Sequence, residues 1–155
     1  MNKEKSIEAL NTLIEINNNR IEIYGTSSKH SSGDDVKDLF FKLMQSGKKC
    51  RTELISEVLQ LGGIPIEGIK TNGKLFGLLI DIRTALRKNL RKAILSSCVF
   101  SERIVIDTYE AILKNNLDHI HSDQLVLLNA QRQLIITDHD DAKKLDTNCE
   151  FLSNS

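Results

Sequence analysis

At 155 residues the chain has the length of one domain, which at this size buries roughly two-thirds of the surface its unfolded form exposes. Lys and Arg number 21 and so do Asp and Glu, so no global field draws it to nucleic acid, to an anionic membrane or to a strongly charged partner. No apolar run reaches the ~20 residues of a membrane span, and "MNKEKSIEAL" lacks the apolar core of a secretory signal, so a cytoplasmic location is expected.

Proline occurs once, at Pro65, and alternating apolar runs are scarce, so helix is expected almost throughout. In the first segment Ile7, Leu10, Ile14, Asn17, Ile21 and Tyr24 recur at intervals of three and four, predicting a helix over about residues 4–24 that stops at Gly25 and "TSSKHSSGDD". The second predicted helix starts at Asp34 or Asp35, either of which suits an N-cap. Val36, Phe40, Leu43, Gly47, Cys50, Leu54, Glu57 and Leu61 form its stripe, and it ends at Gly62-Gly63.

A long connection follows, "GGIPIEGIKTNG", and then an amphipathic piece, "KLFGLLIDIRTALR". The third long helix is expected from Asn89 to Asn115, with Leu95, Cys98, Glu102, Val105, Tyr109 and Ile112 facing inward. The fourth starts at a Ser122 cap and turns Leu128, Gln131, Ile135, either Asp138 or His139, Ala142 and Leu145 inward. Residues 3–146 then make the domain and 147–155 a flexible tail.

Helices of this length are about 37 Å long, and a link of about 25 residues spans that distance. Short loops join the first helix to the second and the third to the fourth, giving two antiparallel hairpins. The expected fold is all-α: a four-helix bundle whose hairpins are joined by a long crossover carrying a short extra helix.

Several motifs have bland readings. "GIKTNGKL" matches the start of a phosphate-binding loop, but Leu75 stands where Ser or Thr would hold magnesium and no strand precedes it, so a turn leading into a helix is preferred. Arg83, Arg87, Lys88, Arg91 and Lys92 cluster without interleaved aromatics and read as a solvated face, which argues against a nucleic-acid partner. His119, His121 and Asp123 have the spacing of a surface metal site but sit in a loop beside a helix start. Cys50, Cys98 and Cys149 form no CxxC pair and read as packed thiols in a reducing compartment.

Buried polar residues carry more weight, because an ionised carboxylate in a helical core is costly unless paired or bound to metal. Glu53, Glu57, Glu102 and His139 fall on or beside inward stripes. Asn17 and Tyr109 are expected to satisfy such groups by hydrogen bonding.

"LNTLIEINNNRIEIYG", "ELISEVLQLGGIP" and above all "AILSSCVFSERIVIDTYEAIL" resemble an uncharacterised bacterial ferritin-like four-helix-bundle family, a domain of unknown function. More distantly the layout is similar to rubrerythrin and other di-iron proteins, which draw carboxylate and Glu-x-x-His ligands from four helices. That resemblance implies Glu15, Glu53, Glu102 and His139 as metal ligands, for iron or manganese. Ser56 and Ile136 depart from it, standing where His and Glu would complete the two pairs.

The expected function is therefore that of a soluble, non-enzymatic ferritin-like bundle with a degenerate di-metal site, pairing as a homodimer through an exposed helix face. The alternative is a rubrerythrin-like redox protein binding iron or manganese. A third reading, an interaction module, applies if the "KLFGLLIDI" helix is exposed.

Overall fold

The apolar spacing resolves into five helices: α1 (Lys3–Ser27), α2 (Asp34–Gln60), α3 (Gly73–Arg87), α4 (Arg91–Asn115) and α5 (Ser122–Ser153). The computed structural model describes residues 2–27 and 33–153, with backbone alone for 26–27 and 149–153. The centre of the "TSSKHSSGDD" loop and the Cys149 thiol lie outside the described residues. Among those described there is no strand, and the all-helical bundle expected from the sequence is what forms.

Two helix ends show why the chain stops where it does. At the end of α2, Gly62 takes a left-handed φ of 79°; its N–H bonds the Leu59 carbonyl and that of Gly63 bonds Val58. The end of α3 repeats the motif with Asn89 at φ 55°, the Asn89 and Leu90 N–H groups bonding Leu86 and Ala85. Asn89 is thus the terminator of α3 rather than the first residue of the next helix, which begins at Arg91.

The helix starts also shift by a residue. Gly33, not Asp34 or Asp35, occupies the cap position of α2, and Asp35 instead bonds the Val36 N–H and pairs with Arg91. Ser122 is the first residue of α5 rather than its cap; the cap position falls to His121, whose N–H is bonded by the Gln124 side chain at 3.3 Å. At the far end α5 continues to Ser153, past the expected boundary at residue 146.

α1 packs on α2 and α4 on α5, as two antiparallel hairpins. Gly47 allows the first pair to approach closely, since a Cβ there would lie 3.1 Å from Ile21 and 3.5 Å from the Asn17 carbonyl. Ion pairs fix the relative directions: Asp35 with Arg91 sets the start of α4 beside the start of α2, and Lys92 with Asp146 sets the end of α5 there too. α1 and α5 therefore run one way, α2 and α4 the other.

Residues 61–72 return along α1 with little regular structure, and their backbone needs partners it cannot find within the link itself. Asparagines of α1 supply them. Asn11 donates to the Ile64 carbonyl at 3.1 Å and accepts the Ile66 N–H at 2.9 Å; Asn18 donates to Gly68 at 2.8 Å. Asn19 clasps Lys70 from both sides, donating to its carbonyl at 3.0 Å and accepting its N–H at 2.8 Å. Replacing Asn19 with Ala is expected to cost about 1–3 kcal/mol and to speed hydrogen exchange at the Lys70 amide; unchanged exchange there would contradict the clamp.

α3 then lies over α1 and α4 with Leu75, Leu79, Ile82 and Leu86 buried on one stripe. Most of its apolar face is covered within the chain while Ile80 is 49% exposed, so the condition for reading that helix as an exposed interaction module is met only in part. No described helix is long and apolar enough to cross a membrane.

Candidate functional site

Around the bundle centre, α1 presents Leu10, Leu13, Asn17, Arg20 and Tyr24 at alternating steps of three and four, all buried. The register therefore carries a guanidinium into the core. Arg20 is fully buried, as are Glu102 of α4 and Asp138 of α5.

Hydrogen bonds reach Arg20 at all three of its guanidinium nitrogens. Nε and Nη2 donate to the two oxygens of Glu102 at 3.0 and 2.6 Å, a bidentate fork. Nη2 also reaches Asp138 Oδ2 at 3.2 Å and Ser46 Oγ of α2 at 3.3 Å, while Nη1 donates to Asn17 Oδ1 at 3.0 Å. All four long helices thus meet at one cation. Burial opposes its charge, but the attraction and hydrogen bonds of Glu102 outweigh that cost and raise its pKa above the ordinary arginine value.

Asp138 is less well served. Its Oδ1 is buried without a hydrogen-bond partner. Burial raises its pKa above the usual carboxylate value, and the nearby Glu102 charge adds to the rise, against the opposing effects of Ser46, Arg20 and Lys42. The centre holds one positive and two negative groups, and Asp138 is the carboxylate that pairs poorly.

From Arg20 a hydrogen-bond chain runs outward with every donor pointing the same way. Asn17 Nδ2 donates to the Tyr109 hydroxyl at 2.9 Å, and that hydroxyl donates to Gln131 Oε1 at 2.7 Å. Gln131 Nε2 donates to Glu53 Oε1 at 3.1 Å and to the Cys50 carbonyl at 3.2 Å; Lys49 holds the other Glu53 oxygen at 2.9 Å. Running from cation to carboxylate, these bonds polarise one another in the same sense. Asn17 and Tyr109 are hydrogen-bonded in the core as expected, but their partners are Arg20, Gln131 and each other rather than Glu53, Glu57, Glu102 or His139 directly.

Above this layer the Tyr24 hydroxyl lies 3.0 Å from Ser101 Oγ, and its ring meets Phe40 edge to face at 5.2 Å. Cys98 Sγ lies 3.8 Å from the same hydroxyl. Burial raises the pKa of both tyrosines and of Cys98, and pushes the Cys50 thiol up to about 11. These shifts run opposite to those that create a nucleophile. Both thiols are free.

The residues named from sequence as metal ligands separate. Glu102 is central but committed through both oxygens to Arg20. Glu53 is half-buried and connects to the centre only through Gln131, Tyr109 and Asn17. Glu15 is half-buried on the crossover side of α1, among Asn11, Asn18 and Asn19. His139 lines a surface groove between α4 and α5, its Nδ1 3.2 Å from Asp140, while its neighbour Asp138 turns inward. Among the described residues no three His, Cys, Asp or Glu side chains come together as a metal site.

A metal needs lone pairs, and a guanidinium has donors only and does not deprotonate. The residues around Arg20 do not fit a di-iron centre, because the cation they hold is already covalently part of the chain.

Other motifs resolve simply. Gly73, with φ 82°, opens α3 after a turn, as expected for "GIKTNGKL". Arg83, Arg91 and Lys92 pair with Glu22, Asp35 and Asp146. The carbonyl of His119 accepts the Ser6 hydroxyl, so the loop before α5 anchors the start of α1.

Arg20 is the residue that sequence reasoning missed. The signal lay in the Leu10-Leu13-Asn17-Arg20-Tyr24 spacing, beside the Ile7-Ile14-Ile21 spacing on the same helix. No curated protein and no solved structure matches the chain. A family match covers residues 5–115, which includes Asn17, Arg20, Ser46, Glu102 and Tyr109 and stops before Gln131 and Asp138 of α5. By that match the chain belongs to the family described as Domain of unknown function (DUF2383).

Proposed function

We propose that this protein is a non-enzymatic, ferritin-like helical bundle with a degenerate di-metal site, in which the Arg20 guanidinium supplies the central positive charge. The observation that carries the reading is the bidentate Arg20–Glu102 pair, fully buried and joined by Asp138, Asn17 and Ser46. Such a network supports a structural role, fixing the register of four helices by a polar group that only one arrangement satisfies. The raised thiol and tyrosine pKa values support the absence of an activated nucleophile. Two free, buried cysteines support a reducing, cytoplasmic location.

The test is metal analysis of protein expressed with iron and manganese supplied and purified without chelator. Substoichiometric metal, unchanged in a Glu102→Ala variant, is expected. One or two ions per chain, lost in Glu102→Ala, would overturn the reading in favour of a rubrerythrin-like metal-binding redox protein.

A further inference from the structure

On the outer side of α4, Phe100 is 65% exposed and stands between two grooves. One, of about 470 Å³, lies between α3 and α4 and carries Asp81; the other, of about 460 Å³, lies between α4 and α5 and carries Lys143. An exposed aromatic at the border of two grooves can stack on its own copy across a two-fold axis. The charges agree with the shape. Asp81 and Lys143 are exposed on opposite sides of Phe100, and neither makes an ion pair among the described residues. A two-fold axis running along α4 through Phe100 lays the α3 edge of one protomer against the α5 edge of the other. Each Asp81 then meets the partner's Lys143, and the contact occurs twice.

We propose that this face pairs two copies of the chain, with Phe100 at the centre and the Asp81–Lys143 contacts at its rims. A foreign partner requires no match between the two edges of the patch, whereas an isologous interface requires that match. The zero net charge leaves little long-range repulsion between copies. This inference concerns the outer surface and is independent of the reading of the core, so metal analysis and association measurements fail separately.

Sedimentation equilibrium on the full chain tests it, with circular dichroism confirming that each variant stays helical. The wild type is expected to be a dimer with a dissociation constant in the micromolar range or tighter. Phe100→Glu, at an exposed position, weakens association at least about 30-fold, the effect of a central aromatic anchor. Lys143→Glu weakens it about tenfold by setting acid against acid at both rims, and adding Asp81→Lys restores it. A wild type monomeric up to about 1 mM overturns the proposal. So does a dimer indifferent to Phe100→Glu, or one in which the double charge reversal fails to restore what the single one lost.

Discussion

Replacing Arg20 with Met is expected to lower the stability of the fold by about 3–5 kcal/mol and its Tm by roughly 6–20 °C. Met preserves most of the buried stem but removes the cation that both oxygens of Glu102 and one of Asp138 face. Two carboxylates then share a core with nothing to balance them, and each must be protonated or draw water inward. The variant has a characteristic pH response. Carboxylates whose folded pKa is raised above the unfolded value favour the native state in acid, and that contribution is lost as pH rises through the folded pKa. The deficit relative to wild type is therefore largest near neutral pH and shrinks on acidification. Arg20→Lys restores the charge but not the fork to Glu102 together with the bonds to Asn17 and Ser46, so it recovers only part of the loss. Denaturant titration of the three proteins at acidic and neutral pH reads all of this, and a Met variant within about 1 kcal/mol of wild type would contradict it.

The two carboxylates that face Arg20 are expected to behave differently when neutralised. Glu102→Gln removes the strong partner of a buried cation and costs about 3–5 kcal/mol. Asp138→Asn keeps an acceptor toward Arg20 and removes the excess negative charge, so it costs less than about 1 kcal/mol at neutral pH. The sign of its pH dependence follows from the raised pKa of Asp138. With its folded pKa above the unfolded one, wild-type Asp138 contributes most below the unfolded value and loses that contribution as pH rises through the folded value. Asparagine has no such titration, so Asp138→Asn compares best with wild type at neutral pH and less well in acid. Equal costs for the two substitutions would mean that the charge is shared evenly, against the geometry.

The bundle was legible because α2 and α4 each bury one continuous stripe, and because Gly62 and the long crossover announce where the chain must stop and return. Glu102 was legible for the same reason: it falls between Cys98 and Val105 on an otherwise apolar line. Its partner was not. α1 is covered by α2 and α4 on its inner faces and by the crossover and α3 on another side, so a single apolar stripe does not describe it. Asn18, Asn19 and Arg20 are all buried there, each for a different partner. An arginine at an inward position is also rare enough that exposure is the natural assumption.

The choice between Asp138 and His139 was open on spacing, since adjacent residues straddle the same helical face. The di-iron resemblance favoured the histidine, but the centre of this bundle contains a cation that needs an acid. Asn89 misled in a different way. A left-handed asparagine ends one helix close to where the next begins, and periodicity alone does not register a change of axis.

The central claim is that Arg20 and Glu102 act as one unit, and a double-mutant cycle measures that directly. The cycle compares Arg20→Met, Glu102→Leu and their combination, all in an Asp138→Asn background so that no third charge intrudes. Each single change strands a buried charge, whereas the pair leaves two apolar side chains in its place, so the double variant is expected to be more stable than the sum of the singles by at least about 2 kcal/mol. Costs that add to within about 0.5 kcal/mol would contradict the account, because independent residues behave that way and a compensated buried pair does not.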